Sequence, residues 1–509
     1  MPKRPEFYDV SAAHEFGVLE ILIRYFDYNS VYMRRGLFSF KVVFLCVLMI
    51  FSSSIVSVGA ASKGSKCVKV GQTQITKNVS YVCVKSGSKA FWQVKSKIVN
   101  GKENLATSTT AAKSQSFIAP TVSSDGSGAC EITERSIHRL TYPKGPYVGF
   151  PRRPINSFRN TGVLNYALIP VDWADLPGDE KQLKESVEQT NSFKLWMELA
   201  SQGRVQINWR IHPSWVRMSG VSSSWYTPSA FPANVAFGDA AIAAADREFN
   251  FSGIDAVIYY LPGSQGVFIE GSQGSVDTGL ERPFQTAEGN VSSFAVIGSY
   301  FDQDQKNYWS AWVHYSLIWM GMPELFDARS NRGASERAIP SGNMAGYDIM
   351  ASQDGPNRQL SGWLRFLLDW FGSDQIYCKK MENVTSVKLS LDPVGDVSTK
   401  LKMVGIQISD TKLVVIESRR LDKRFDCSVN TEFKKDGVIV YIVDSTQGHV
   451  TGETLSLVSP MNRVLLRSYC NTPTQQNPTM NVGDYVDVLG LRVKVLESGT
   501  FDTIEISRL

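Results

Sequence analysis

The chain has 509 residues, of which 43% are hydrophobic and 11% aromatic, and its formal net charge is +4 at pH 7. This length leaves room for more than one domain, and the composition excludes an intrinsically disordered chain. The charge is small for the length, and no basic stripe with interleaved aromatic residues occurs. We therefore do not expect nucleic acid to be a partner.

Residues 33–61 have the pattern of an export signal. Two arginines precede an apolar run over Val42–Phe51, and small residues surround Ala60. This order is typical of a secretory signal, so we predict a signal peptide at 33–61 and, at 1–32, a misassigned start or a short cytosolic segment. The apolar run approaches the roughly 17–25 residues that span a bilayer, so a retained anchor is the alternative. The predicted location is secreted, cell-surface or wall-associated, with membrane contact only through this segment.

Export makes the cysteines informative, because disulfides persist in oxidising compartments. One of the seven cysteines lies in the signal, which leaves an even number. Cys67 and Cys83 lie in one short module and are predicted to pair. The other four allow three pairings, which the sequence leaves open: Cys130, Cys378, Cys427 and Cys470. No C-x-x-C motif occurs, which argues against a zinc ribbon or a thioredoxin-type site.

A small β module and a linker are predicted after the signal. Over residues 62–96, alternating Val, Ile and Tyr around turn residues predict two or three short strands, with Trp92 covering the disulfide. The module resembles the two-cysteine modules of secreted actinobacterial proteins, which implies a wall or surface adaptor. A structural cap is the alternative. Residues 97–129 are rich in Ser, Thr and Ala and are predicted to be a flexible linker.

Two larger domains follow in the predicted organisation. Between residues 130 and 370, apolar runs such as "VLNYALIPVDW" and "IDAVIYYLP" alternate with segments of helical spacing. This alternation predicts an α/β sheet domain. Over residues 371–509, short β-rich runs are separated by Gly, Asp, Asn and Ser turns. This pattern predicts an all-β sandwich.

The stretch "WVHYSLIWMGMPELFD" can be aligned with the H-E-x-x-H motif of zinc proteases. In that motif two histidines four residues apart share a helix face and bind the metal, while the glutamate activates the bound water. His314 occupies the first ligand position, Tyr315 that of the base and Ile318 that of the second histidine. Gly321 lies at the turn, and Glu324 falls at the third ligand position of the longer motif.

The surrounding sequence resembles one family. "GMPELFD" is similar to the "GLPDLYD" that follows the helix in immune inhibitor A-type secreted zinc metalloproteases. "MAGYDIM" resembles that family's "G-x-x-D-I-M" segment, with Met350 as the Met-turn, and "VVIESRR…GVIVYIVDS" resembles its C-terminal β strands. The ordered likeness spans Gly162 to Leu509. It implies a zincin-like metalloprotease domain followed by a β sandwich, with a degenerate zinc site.

The degenerate site favours a pseudopeptidase over an enzyme. His314 and Glu324 remain only as residual metal candidates, whereas a catalytic zinc has three protein ligands and an open position. A tyrosine, with an unperturbed pKa of about 10, is a poor base near neutrality. We expect no cofactor, a direct contact between the two residual candidates, and binding of peptide or protein in the former substrate groove.

Two alternatives stay open at this point. One is an active zinc metalloendopeptidase with an atypical site, which would need a further ligand. His212 is the histidine that could fold toward the cleft, although a histidine in such a strand is more often packed or solvent-facing. The other alternative is a structural protein of the cell envelope.

Overall fold

The computed structural model forms two compact units, residues 1–114 and 115–509. It describes residues 73–76, 79–86, 89–99, 102–105, 116–120, 123–136, 146–152, 158–225, 231–262, 272–275, 283–291, 293–297, 308–326, 338–339, 344, 347–351, 357–426, 436–448, 451–458, 460, 465–466 and 479–509. The predicted signal and the segment before it lie outside these residues. Within them, no helix has the length and apolar character needed to cross a bilayer.

The first unit contains a four-stranded antiparallel sheet in the order β1-β2-β3-β4. Its strands are β1 Thr73–Thr76, β2 Val79–Ser86, β3 Lys89–Val99 and β4 Lys102–Leu105. The sheet continues past residue 96, where the module was predicted to end. The end of β3 and the whole of β4 form a hairpin there, although their sequence has no clear strand pattern. Cys83 and Trp92 are register partners and both are buried. Cys83 is disulfide-bonded, and Cys67 lies outside the described residues, so their pairing stays a prediction.

The second unit begins with strands and helices in alternation. They are β5 Gly162–Asp172, α1 Glu180–Ala200, β6 Val205–Ile211, β7 Val216–Arg217, α2 Phe231–Ala245, β8 Ala256–Tyr260, β9 Ser272–Ser275, β10 Phe284–Thr286, β11 Gly289–Val291, β12 Ser293–Ile297, α3 Tyr308–Trp319, β13 Ala338–Ile339 and α4 Gly362–Leu367. The main sheet has the order β6-β5-β8-β12-β9, and β7 pairs with β5. Its first four strands are parallel, and β9 is an antiparallel edge strand.

Helices cover both faces of this sheet, as a parallel sheet requires. Alternate residues of β5 enter two different cores: Leu164, Tyr166 and Leu168 face α1 and α3, whereas Ala167, Ile169 and Val171 face α2. The predicted α/β architecture is therefore present. The helix carrying His314 and the helix α2 lie on opposite faces of the sheet.

The remaining strands form two further sheets. They are β14 Ile376–Lys380, β15 Ser386–Leu391, β16 Met403–Ser409, β17 Lys412–Arg419, β18 Gly437–Asp444, β19 Leu455–Val458, β20 Leu465–Leu466, β21 Tyr485–Val488, β22 Leu491–Ser498 and β23 Asp502–Arg508. One sheet has the order β14-β16-β17-β18-β19 and the other β15-β23-β22-β21, while β20 pairs with β13. The two sheets share one hydrophobic core, to which Val414 and Ile504 belong.

The β sheets and the α/β part form one compact unit, although the sequence predicts two domains. The opposite face of the five-stranded sheet, including Val415 and Tyr441, belongs to the same core as α3 and α4. Because this core is continuous, the two parts pack as layers of one body.

Part of the predicted linker belongs to this body. The Asp125 amide donates to the Cys378 carbonyl at 2.8 Å, and the Ser390 amide donates to the Ile118 carbonyl at 2.9 Å. Cys130 forms a disulfide with Cys378 across 248 residues of chain. This bond selects one of the three pairings that the sequence leaves open. Contacts with strands that are distant in the sequence order this segment. Its amino-acid composition could not predict those contacts.

We expect removal of this disulfide to destabilise the second unit substantially. A cross-link closing a loop this long restricts the unfolded chain by about 5 kcal/mol in the chain-entropy treatment. Denaturant unfolding of the Cys130→Ala, Cys378→Ala variant should show a lower free energy of unfolding by a value of that order. The wild-type protein under reducing conditions should match the variant. An unchanged midpoint in both cases would show that the bond does not form.

Candidate functional site

The candidate site is built on α3, a helix buried on nearly all sides. The side chains of Trp312, His314 and Leu317 are all buried, as expected for a helix whose apolar residues cover its whole circumference. The helix ends at Trp319, and Gly321, two residues later, adopts a φ of 90°. The Gly321 amide donates to the Ile318 carbonyl at 2.8 Å. A glycine is needed at this left-handed position, so the turn predicted from the motif is confirmed.

His314 contacts Glu324 directly, as predicted. Its Nε2 lies 3.3 Å from the Glu324 Oε1 atom, and its Nδ1 lies 3.1 Å from the Ile349 carbonyl oxygen. The Nδ1–H group donates to that carbonyl, so Nε2 is the nitrogen that faces the carboxylate. A proton on Nε2 makes this a charge-assisted contact. The imidazole is held at both nitrogens and is 3% exposed.

The segment predicted as the Met-turn contacts this histidine through Ile349. Met350 is fully buried, its carbonyl accepts from the Leu325 amide at 2.9 Å, and Ile349 beside it binds His314. Asp348 holds the turn by accepting from the amides of Met350 at 2.8 Å and Ser361 at 2.7 Å. Burial raises the pKa of Asp348 to about 6, against the opposing effect of these hydrogen bonds. Asp348 lies within the stretch "MAGYDIM", but the sequence pattern predicted no role for it.

The donor set does not fit a catalytic zinc. The Nε2–Oε1 separation of 3.3 Å is close to the roughly 3.4 Å expected between two ligands of a tetrahedral zinc. The distance is therefore compatible with either arrangement. Ile318 supplies a buried hydrocarbon at the second ligand position. Among the described residues, no three His, Cys, Asp or Glu side chains are grouped to hold a metal ion.

Tyr315 occupies the base position and is also buried, at 8% exposure. Its ring packs edge-on against the His314 ring, with the centroids 5.7 Å apart.

His212 lies elsewhere. Its backbone amide donates to the Leu168 carbonyl at 2.9 Å, and its ring packs against Phe249. It lines a pocket against α2, on the face of the sheet opposite α3. The possibility that it folds toward the cleft of His314 is therefore not realised.

An edge strand lies beside the site. α3 packs against β12, and β9 pairs with β12 through Ser272–Ser275. Among the described residues β9 has no partner on its other side. An edge of this kind presents unpaired amide and carbonyl groups to an extended chain.

A buried ion pair joins the site's supporting loop to the β layer. Glu417, fully buried on β17, accepts from the Gly362 amide at 2.6 Å and the Tyr441 hydroxyl at 2.9 Å. Arg419, also fully buried, donates from Nε to Glu417 and from Nη1 to Asn357 at 3.2 Å. These residues belong to the "ESR" stretch that carries part of the family resemblance. They anchor the start of α4 against the sheet.

Comparisons with known proteins add little to these observations. No family model matches the chain, and no curated protein matches it. Among solved structures it is similar to metalloproteinase-II from Bacteroides fragilis, with 12% identity and a TM-score of 0.24, over 58% of this chain and 77% of that one. At this score the likeness assigns neither fold nor activity, and the resemblance to immune inhibitor A-type proteases stays a prediction.

Proposed function

We propose that this protein is a secreted or cell-surface pseudopeptidase that binds an extended segment of peptide or protein. The observation that carries the proposal is the direct contact of His314 with Glu324, beside a buried Ile318 at the second ligand position. The chain retains the helix, the glycine turn and the Met-turn of a zinc-protease motif but lacks its ligand set and its base.

The edge of β9 supports an extended peptide as the ligand. A peptide that adds to a sheet edge gains main-chain hydrogen bonds and places alternate side chains against the neighbouring surface. The edge lies next to β12, against which α3 packs. This position corresponds to the former substrate groove of the proposed pseudopeptidase.

Metal content tests the loss of catalysis. We expect the purified mature protein to carry far less than one zinc per chain, because two donors do not hold a catalytic zinc. It should show no chelator-sensitive cleavage of an unstructured protein substrate. Stoichiometric zinc together with proteolysis that a chelator abolishes would establish the active metalloendopeptidase instead.

Proline substitution on β9 tests the binding edge. Successive amides of a strand point to opposite edges, so Gln273→Pro and Gly274→Pro remove different kinds of N–H group. One variant loses an outward amide, and the other loses a hydrogen bond to β12. We expect the variant that loses the outward amide to bind peptides selected from a displayed library about tenfold more weakly, with an unchanged unfolding midpoint.

The variant that loses a hydrogen bond to β12 is the matched control, since it should lower the unfolding midpoint. Equal peptide affinity in the wild type and both variants would place the binding surface elsewhere. Failure to select any peptide would favour the structural envelope protein.

A further inference from the structure

A pocket separate from the candidate site lies on the opposite face of the main sheet. It has a volume of about 460 Å³ and lies between α2 and the chain that follows β6, which is within the usual range for small-molecule sites. One wall is a face of α2 made of small residues: Ala240, Ala243 and Ala244. Trp215 and Met218 form much of the other wall. The alanines leave an apolar space that larger side chains would fill.

His212 contributes a polar group to this pocket. The side chain is 3% exposed, and its Nδ1 lies 2.7 Å from the Ser214 carbonyl oxygen. The Nδ1–H group therefore donates to that carbonyl, and Nε2 makes no hydrogen bond with any described residue. A buried imidazole with one nitrogen fixed in this way presents the other to a ligand.

Two guanidinium groups also line the pocket. Arg217 donates from Nε and Nη2 to the two oxygens of Asp172, at 2.6 and 2.9 Å. Because Asp172 is buried, this bidentate pair holds the Arg217 side chain in place, and Nη1 makes no hydrogen bond with a described residue. Arg247 lines the same pocket and forms no ion pair with a described residue. The pocket thus has guanidinium donors at its rim and apolar side chains along its walls.

We propose that this pocket binds a small monocarboxylic acid with an apolar body. The carboxylate accepts from Arg217 Nη1 and Arg247, since guanidinium groups match carboxylate geometry. The hydrocarbon part lies on the alanine face of α2. Glu248 lines the same pocket, and its negative charge disfavours a multiply charged anion such as phosphate.

Titration calorimetry of the full chain with four probes tests the ligand class. The probes are phenylacetate, hexanoate, phenylacetamide and inorganic phosphate. We expect the two carboxylates to bind saturably at one site. Phenylacetamide, which has the same shape without the charge, should bind at least about tenfold more weakly, because hydrogen bonds to charged groups are the stronger ones. Phosphate should show no saturable binding.

Two substitutions test the location. Arg247→Gln removes a guanidinium and should weaken phenylacetate binding by about tenfold. Ala243→Leu fills the apolar wall at an exposed helix position, so it should abolish binding without preventing folding. Arg508→Gln, at the exposed last residue of β23, is the matched control and should bind as the wild type does.

Three outcomes would overturn the proposal. They are the absence of saturable carboxylate binding in the wild type, equal binding of phosphate and phenylacetate, and unchanged phenylacetate binding in both Ala243→Leu and Arg247→Gln. These outcomes leave the proposed pseudopeptidase function untouched, because the pocket and α3 are on opposite faces of the sheet.

Discussion

The Tyr315→Glu, Ile318→His variant is expected to bind one zinc per chain with a micromolar or lower Kd, or about −8 kcal/mol or better. The second substitution places an imidazole one helical turn after His314, on the same face. Together with Glu324, already 3.3 Å from the His314 ring, it completes three ligands. Zinc titration with a competing chromophoric chelator measures the change.

Single substitutions separate the ligand from the base. Ile318→His alone should bind zinc, because it supplies the third ligand, whereas Tyr315→Glu alone should not. Ile318→Gln is the matched control, since it introduces a polar side chain of similar length without an imidazole. If the double variant folds with an unchanged midpoint and takes up no zinc, then His314 and Glu324 are not arranged around a former metal position.

The second large effect is expected at the buried Glu417–Arg419 pair. Glu417→Ala should lower the free energy of unfolding by about 3–5 kcal/mol, because it leaves the Arg419 charge buried without its partner. It also removes the acceptor for the Gly362 amide and the Tyr441 hydroxyl. Chemical denaturation followed by tryptophan fluorescence measures the loss.

A surface pair on the four-stranded sheet of the β part is the matched control. Asp487 and Arg492 form an ion pair at 2.7 Å with side chains 41% and 43% exposed. Because exposed pairs contribute little, Asp487→Ala should leave the free energy of unfolding nearly unchanged. Replacing Glu417 and Arg419 together with Met should cost less than Glu417→Ala alone. Equal costs for Glu417→Ala and Asp487→Ala would contradict the burial of the first pair.

The geometry around His314 could be predicted from sequence because it is local. A helix, a glycine turn and a residue ten positions later determine where Glu324 lies relative to His314, and the 3.3 Å contact follows. The turn required φ > 0, and only Gly321 among its neighbours meets that need without strain. Local periodicity likewise predicted the alternating strands and helices of the main sheet, since β5 and α1 each bury enough apolar residues to show their period.

The roles of Glu417 and Arg419 could not be predicted in this way. The stretch that contains them was recognised by resemblance, but its partner is the start of α4, 55 residues earlier in the chain. A charged residue in a strand is usually solvent-exposed, and only the packing of β17 against α4 buries this one. Asp348 is a similar case, because its raised pKa comes from burial beneath the Met-turn.

By itself, therefore, the sequence determined the features set by neighbouring residues: helix α3, the glycine turn after it, and the strand pattern. Tertiary structure alone decided which cysteine meets Cys130, because a bond across 248 residues leaves no local trace. It also decided that His212 faces α2 and not α3, since the two helices cover opposite faces of one sheet. The period of apolar residues along the chain indicates which residues are buried. The sheet topology determines which helix or strand each of them packs against.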